Sequence, residues 1–255
     1  MDWPSLTQLR FLAVGGFPYG TLGGLTMNLI IVALALAAGF VIGLLLGLGR
    51  LSERFLICRP CAAYVELIRA TPLVMVLFWF YFLIPNVLGA RIGLFWTSTI
   101  AMTVYVSAYL AEVVRAGMLA LPTGQPEAAY SIGLTHVQVL LYVTLPQALK
   151  MMIPAFVSTF ISLFKESPAL LMIGVAELMD TGYSIATLHL KLIPATFLIV
   201  GATFFVICFA LSRVSLRLER KLNPDRRAVP LDPELQLDMV AGAGGGARRV
   251  GAGTR

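Results

Sequence analysis

Charged residues are scarce in this chain. Asp, Glu, Lys and Arg make up 13% of its 255 residues, about half of the roughly 25% that is usual for soluble domains. Hydrophobic residues make up 58%, and the mean hydropathy is +0.87. This composition argues against a soluble enzyme and predicts a membrane protein.

Cysteine and histidine are also scarce: the chain has three cysteines and two histidines. Cys58 and Cys61 form a Cys-Arg-Pro-Cys motif, but no second pair or nearby histidine accompanies it. A structural role on the reducing side of a membrane is therefore favoured over a metal or redox site. Both histidines fall in predicted loops, which argues against an intramembrane hydrolase that needs a base at membrane depth. We predict no metal site.

The sequence also lacks a phosphate-binding loop. No glycine-rich stretch continues into Gly-Lys-Ser or Gly-Lys-Thr, so the cradle for a nucleotide phosphate is missing. The first apolar stretch begins too far from Met1, and without a charged leader or small-residue cleavage site, for a removable signal peptide. We expect that stretch to be retained as a membrane span, and any energy from ATP to come from another chain.

The apolar residues are collected into long stretches. A helix of about 20 residues crosses a hydrocarbon core of ~30 Å. Five stretches are long enough, which predicts an all-α protein with about five transmembrane helices, at 25–49, 64–88, 95–120, 147–175 and 192–217. Within the first, Gly39, Gly43 and Gly47 share one helical face and predict close helix packing. Their partner is either another span of this chain or another subunit.

The cations predict the orientation of these spans. If the spans alternate in direction, 14 of the 19 Lys and Arg residues fall on one side, while Arg10, Arg91 and Lys191 fall on the other. The positive-inside rule puts the larger set in the cytoplasm, with the N-terminus outside and the C-terminus inside. This topology explains the net charge of +6 without nucleic-acid binding. Residues 1–221 are predicted to form the membrane domain, and 222–255, rich in Gly, Ala and charge, a disordered cytoplasmic tail.

The segment from Gln125 to Pro146 is partly polar and lies between two apolar stretches. Pro126 suits the first turn of a new helix, where its missing N–H needs no partner. Glu127 then falls in the first turn, where its carboxylate faces the positive end of the helix dipole. Ala128 and Ala129 keep this turn slim, so that another surface can approach closely. The pattern predicts a helix presented outside the bilayer.

The same segment continues with a turn and further helices. Gly133 is a predicted helix stop, because glycine accepts left-handed backbone angles without steric cost. Thr135 is a predicted cap of a second short helix, and Thr144 with Pro146 marks the start of another. The predicted topology places this whole loop, 122–146, in the cytoplasm.

These residues carry a resemblance to a known family. Glu127-Ala128-Ala129, followed by Gly133 and Leu145-Pro146, resembles the "EAA" loop in membrane-spanning subunits of ABC importers. Gly124-Gln125 and Pro146-Gln147-Ala148 are similar to the polar amino-acid subgroup. The resemblance implies a type I importer permease fold in which this loop docks on an ATPase through Gln125, Glu127, Ala128, Ala129, Gly133, His136 and Pro146. The Glu-Ala-Ala triplet alone is also typical of an ordinary, well-capped surface helix.

The second span opens with Arg69-Ala70-Thr71-Pro72, which resembles the family's "RGTP" element. Pro72 predicts a kink whose freed backbone groups must find protein or water, either in the translocation pathway or in a merely structural helix. In the third span, Glu112 and Arg115 are three residues apart and predict a structural ion pair. They resemble the family's "AE–x–x–RGG" element.

The fourth span carries Lys165, Glu166 and Ser167 at a depth where each charge costs about 2.5 to 3.5 kcal/mol on insertion scales. Neighbouring helical residues point about 100° apart, so Lys165 and Glu166 need not pair with each other. The site is similar to the family's "K–D–T–S–L" element in a pore-lining helix. We predict that Arg69, Thr71, Pro72, Lys165, Glu166 and Ser167 line the pathway. If the span boundaries are displaced, the two charges instead sit at the membrane interface.

Glu177, Asp180 and His189 follow on the predicted outer side. Two carboxylates and one histidine at loose spacing are more typical of a solvated loop than of a metal site. We expect them to border the docking surface for an external binding protein.

The resemblance also implies partners. These are two ATPase subunits that bind ATP and magnesium, a second permease subunit of the same or a homologous kind, and an extracytoplasmic solute-binding protein, assembled in the bacterial inner membrane. The chain itself would need no cofactor. Arg69, Lys165 and the stretch 73–85, which looks like glutamate and aspartate permeases, suggest an acidic amino acid as substrate. An ion-coupled secondary transporter and a purely structural membrane subunit are the alternatives.

Overall fold

The computed structural model describes residues 4–89 and 92–222, apart from the side chain of Leu88. Arg91 and the predicted tail beyond Leu222 lie outside the described residues. All regular elements in the described part are helices. They are α1 Leu6–Val14, α2 Gly24–Arg50, α3 Phe55–Arg69, α4 Leu73–Phe78, α5 Ile84–Leu88, α6 Leu94–Leu119, α7 Gly124–Ser131, α8 His136–Gln138, α9 Leu145–Glu166, α10 Leu178–Leu188 and α11 Ile193–Leu222.

Short segments of other helical types join several of these elements. A π-helical segment, Trp79–Leu83, links α4 to α5, and a second, Val139–Thr144, links α8 to α9. Two 3₁₀ segments, Ser167–Ile173 and Leu190–Leu192, follow α9 and precede α11.

Membrane-spanning helices dominate the described residues. Four stretches are long and apolar enough to cross a bilayer, and the bent pair of α3 with Leu73–Val87 makes a fifth. The four are Gly24–Arg50, Leu94–Leu119, His136–Ile173 and Leu190–Leu222. The predicted all-α, polytopic fold is therefore confirmed, with boundaries that shift by several residues.

The second predicted span differs most from the structure. Residues 64–69 complete α3, and the chain then breaks before the stretch Leu73–Val87, which is bent by 105° relative to α3. Pro72 has an extended conformation, with φ −61° and ψ 145°, and precedes the first residue of α4. Proline donates no backbone N–H and disfavours helix in the residue before it. The kink predicted at Pro72 is thus a full break between two helices.

Three glycines of α2 allow it to pack closely against α6. A Cβ atom added to Gly43 would lie 2.7 Å from the Cβ of Leu110, and one added to Gly47 would lie 2.7 Å from the Cβ of Val114. Such distances leave no room for a side chain, so the glycines let the two backbones approach. The partner of the predicted glycine face, which the sequence left open, is α6 of the same chain.

The two ends of the helix bundle carry different residues. We call the end that bears α7 and α8 the coupling end, and the other the opposite end. α11 starts at the opposite end, where Val200 packs with Leu178, and its Ser215 hydroxyl donates to the Pro154 carbonyl midway along α9 at 3.3 Å. The basic C-terminal part of α11 therefore lies towards the coupling end. The N-terminal α1 lies at the opposite end, where Leu12 packs with Leu178 and Val200.

Candidate functional site

The segment formed by α7, α8 and their turn stands at the coupling end and is mostly exposed. The structure begins α7 at Gly124 and places Gly133 at φ +88°, where its N–H donates to the Tyr130 carbonyl at 2.9 Å. Thr135 then caps α8, and its backbone N–H donates to the Gln138 side chain at 2.9 Å. These are the turn and cap that the residue pattern predicts.

One face of this segment packs on the bundle and the other is free. Ala129 is buried, whereas Gln125, Glu127 and Ala128 are exposed. The Tyr130 hydroxyl lies 2.7 Å from Nδ1 of His136 and ties the two short helices together. Gly133, His136 and Pro146 are exposed as well, so six of the seven residues predicted to dock on an ATPase are accessible.

An ionic cluster joins α2, α3 and α6 near this segment. Glu112 on α6 accepts a hydrogen bond from Arg50 and another from Arg115, whose Nη2 lies 2.5 Å from Oε1. Arg69 Nη1 lies 3.4 Å from Oε2 of the same carboxylate, and Glu66 lies 3.9 Å from Arg50. We call these five residues the Glu112 cluster. It contains the predicted Glu112–Arg115 pair and adds partners that are distant in sequence.

Three residues predicted to line the translocation pathway lie elsewhere: Arg69 belongs to the Glu112 cluster, and Thr71 and Pro72 lie at the break between α3 and α4. The guanidinium of Arg69 faces Glu112 and lies 5.6 Å from the centroid of the Tyr109 ring. The Thr71 hydroxyl donates to the Leu67 carbonyl at 2.9 Å, which closes the last turn of α3. The cavity described next is lined by other residues than Arg69, Thr71 and Pro72.

A cavity of about 490 Å³ lies between α6 and α9. Its polar lining combines one carboxylate with five hydroxyl groups, from Glu166, Tyr105, Tyr109, Ser158, Thr159 and Ser162. The Tyr105 hydroxyl donates to that of Tyr109 at 3.1 Å and also faces Glu166. Glu166 is the one ionic residue in the lining as described. The cavity therefore offers a negative charge and hydroxyl groups to a small polar ligand.

Lys165 points to a different side of α9. It lines a hollow between α9 and α11 with aromatic and small side chains, including Phe204, Cys208 and Ser212. Lys165 and Glu166 thus diverge, in keeping with their helical spacing. Among the residues that the structure describes, Lys165 takes part in no ion pair.

Ser167 joins a buried hydrogen-bond network at the opposite end, which we call the Asn28 cluster. Nδ2 of Asn28 donates to Ser167 Oγ at 2.7 Å and to Glu177 Oε2 at 2.9 Å. Oδ1 of Asn28 accepts from the backbone N–H of Leu178 at 2.8 Å. Asn28, Ser167 and Glu177 each have 0% exposure. A lone Asn in an apolar span must find such partners, so Asn28 itself is the sequence signal for this network.

The expectation that Glu177 lies in a solvated outer loop is wrong. Its carboxylate caps α10, where it accepts from the backbone N–H groups of Met179 at 2.9 Å and Asp180 at 2.8 Å. Burial raises the pKa of Glu177, and also that of Asp180. His189 is exposed. No metal-binding group of three or more His, Cys, Asp or Glu residues occurs within 4–89 and 92–222.

The helix bundle described above is similar to solved structures of ABC transporters. One solved structure, an amino acid ABC transporter with histidines, is 32% identical and matches with a TM-score of 0.74 over 87% of this chain and all of that one. The MetNI methionine transporter, at 24% identity and a TM-score of 0.66, shares the fold.

The sequence assigns the chain to a family. Residues 39–224 match the model described as binding-protein-dependent transport system inner membrane component, and the chain belongs to this family. It is a multi-pass protein of the inner membrane.

Curated relatives carry the names of amino-acid permeases. The L-cystine permease TcyB of Bacillus subtilis is 35% identical over 79% of this chain and 86% of its own length. The glutamate/aspartate permease GltK of Escherichia coli O157:H7 is 31% identical over 86% and 97%. The amino-acid permease YhdY of Escherichia coli K12 is 35% identical over 80% of this chain. The chain spans 57% of YhdY and 48% of the Rhodobacter capsulatus permease BztC.

Proposed function

We propose that this chain is the permease subunit of an ATP-driven amino-acid importer. One observation carries the proposal: the exposed α7–α8 segment connects the two helices that line the Glu166 cavity. α6 ends at Leu119, five residues before α7 begins, and α8 continues through a π-helical segment into α9. A force applied to the segment therefore reaches both walls of the cavity. Rigid helices that have two discrete arrangements transmit such a movement.

The force would come from a separate ATPase subunit that binds ATP and magnesium. Gln125, Glu127 and Ala128 form the exposed edge on which it docks. A second permease, two ATPase subunits and an extracytoplasmic binding protein complete the proposed assembly, with the coupling end in the cytoplasm. The family description, which names a binding-protein-dependent transport system, supports the binding protein, and the ABC transporters to which the chain is similar support the ATPase.

The cavity supports an amino acid with a neutral or cationic side chain as the substrate. The α-ammonium group would meet the Glu166 carboxylate, and the tyrosine and serine hydroxyls would donate to the α-carboxylate. The acidic preference predicted from Arg69 and Lys165 has less support, because Arg69 contacts Glu112 and Lys165 faces α11. The 31% identity with GltK favours acidic substrates as the second candidate.

Uptake into proteoliposomes that contain the complete transporter tests both the dependence on ATP and the proposed substrate class. We expect ATP-dependent uptake of radiolabelled L-arginine or L-glutamine, inhibited more by each other than by L-glutamate. Glu166→Gln should raise the KM for these amino acids about tenfold, since it removes a charge-assisted contact of about 1.5–3 kcal/mol. Uptake that follows a proton or sodium gradient without ATP would contradict the proposed function. Preferred uptake of L-glutamate would favour the second candidate.

A further inference from the structure

The Asn28 cluster lies next to the residue that gives the cavity its charge. Ser167 directly follows Glu166, at the point where α9 ends and the 3₁₀ segment begins. Its hydroxyl donates to the Phe164 carbonyl at 2.8 Å and accepts from Asn28 at 2.7 Å. Both bonds are buried. The end of α9 is therefore fixed from α2, in a region where water cannot replace a lost partner.

The carboxylate of Glu177 fixes the orientation of the Asn28 side chain. It accepts from Nδ2 of Asn28, while the Leu178 N–H donates to Oδ1. If the amide rotated by half a turn, its oxygen would face the carboxylate and its NH₂ group would face another N–H. Only the observed orientation satisfies all three neighbours, so an N–H of Asn28 is directed at Ser167.

We propose that Asn28 is a positioning residue for substrate recognition by Glu166. By holding Ser167, it sets the rotation of the last turn of α9, so that Glu166 faces the Tyr105 side of the cavity and Lys165 faces α11. The inference rests on the proposed function of the cavity and extends it to a residue on α2 outside the cavity lining.

Ser167→Ala is the variant that isolates this role. It removes the acceptor that faces Asn28 but keeps the bond that Asn28 donates to Glu177 and the one that it accepts from Leu178. In the complete transporter, we expect the KM for L-arginine and L-glutamine to rise about fivefold, as for the loss of one buried hydrogen bond, with Vmax within twofold of the unmodified value. Asn28→Ala should also raise KM about fivefold, provided that the variant folds.

Thr181→Ala is the matched control. The Thr181 hydroxyl is buried and donates to the Glu177 backbone carbonyl at 2.7 Å, whereas the hydrogen bonds of the Ser167 hydroxyl join Asn28 and Phe164. Thr181→Ala removes a buried hydrogen bond of the same kind. A purely structural effect would therefore raise KM equally in Thr181→Ala and Ser167→Ala. An unchanged KM in Ser167→Ala, beside a raised KM in Glu166→Gln, overturns the positioning role. An unchanged KM in Glu166→Gln contradicts the proposed function of the cavity instead.

A labelling experiment tests the position of residue 166 without any transport. With Cys58, Cys61 and Cys208 replaced by alanine, Glu166→Cys is treated with N-ethylmaleimide, with and without Ser167→Ala. The positioning role predicts that Ser167→Ala changes the labelling rate at position 166 several-fold, while Thr181→Ala leaves it unchanged. Equal labelling rates in all three proteins would overturn it.

Discussion

Polar groups hold both ends of the bundle together, but they are partly exposed at the coupling end and fully buried at the opposite end. In the Glu112 cluster, side-chain exposure ranges from 14% at Arg50 to 42% at Arg69 among the residues that contact Glu112. In the Asn28 cluster, Asn28, Ser167 and Glu177 have 0% exposure. Water can replace ion-pair partners at the coupling end, but it cannot replace hydrogen-bond partners at the opposite end.

This difference suits the proposed mechanism. A helix bundle that transmits force needs one region that rearranges and one that stays fixed. Arginines that share a partly hydrated carboxylate can exchange partners at small cost, whereas separating Asn28 from Glu177 leaves buried donors and acceptors unsatisfied. We infer that movement begins at the coupling end and pivots about the Asn28 cluster.

Asn28→Ala should have the largest effect on stability. It leaves the buried Glu177 carboxylate without one donor and the Leu178 N–H without its acceptor, at about 1–3 kcal/mol for each group. We expect the unfolding free energy in mixed micelles to fall by about 3 kcal/mol in total. Denaturant titration of the purified permease measures this. A loss no greater than that of Ser98→Ala, a buried hydroxyl on α6 outside both clusters, would contradict the comparison.

Glu112→Gln should have a smaller effect, and one that depends on salt. The variant leaves Arg50, Arg69 and Arg115 close together without their shared anion, but water reaches part of each side chain. We expect a loss of about 2 kcal/mol in low salt. The Debye length is about 3 Å in 1 M salt, so the loss should shrink there. Equal losses of stability in low and high salt would show that the Glu112 cluster, like the Asn28 cluster, is shielded from water, which would contradict the comparison.

The pH dependence of stability should be the smallest effect. Burial raises the pKa of Glu177 in the folded protein, so between its unfolded and folded pKa values the folded state binds more protons than the unfolded one. Stability from this group is therefore full below the unfolded pKa and decreases as pH rises through the folded pKa. The slope cannot exceed about 1.4 kcal/mol per pH unit for one proton.

Glu177→Gln should flatten this slope, as measured by denaturant titrations from pH 4 to 8. Asp180, whose pKa burial also raises, adds a second contribution of the same sign, so Asp180→Asn is measured in parallel. A slope that both variants leave intact would show that neither carboxylate causes it.

The sequence predicted features that depend on neighbouring residues. Hydropathy located the spans, and the local rules for Gly133 and Thr135 located the turn and cap of the coupling segment. The predictions were incomplete where the cause is a contact between distant residues. Arg50 and Glu112 are 62 residues apart, and Asn28 and Glu177 are 149 apart. The position of Glu177 in the sequence does not reveal that its side chain is buried and caps a helix. A proline in a helix predicts an interruption, but it does not distinguish a kink from a break of 105°.

The most direct measurement of the central claim is the capture of the co-expressed ATPase subunit by the affinity-tagged permease. The exposed Glu127 lies on the proposed docking edge, so Glu127→Lys should reduce ATPase capture at least about tenfold, by reversing a charge at a helix start, while membrane insertion is unchanged. Glu219→Lys, an exposed charge reversal on α11, should retain capture. Full capture of the ATPase by Glu127→Lys would contradict the account.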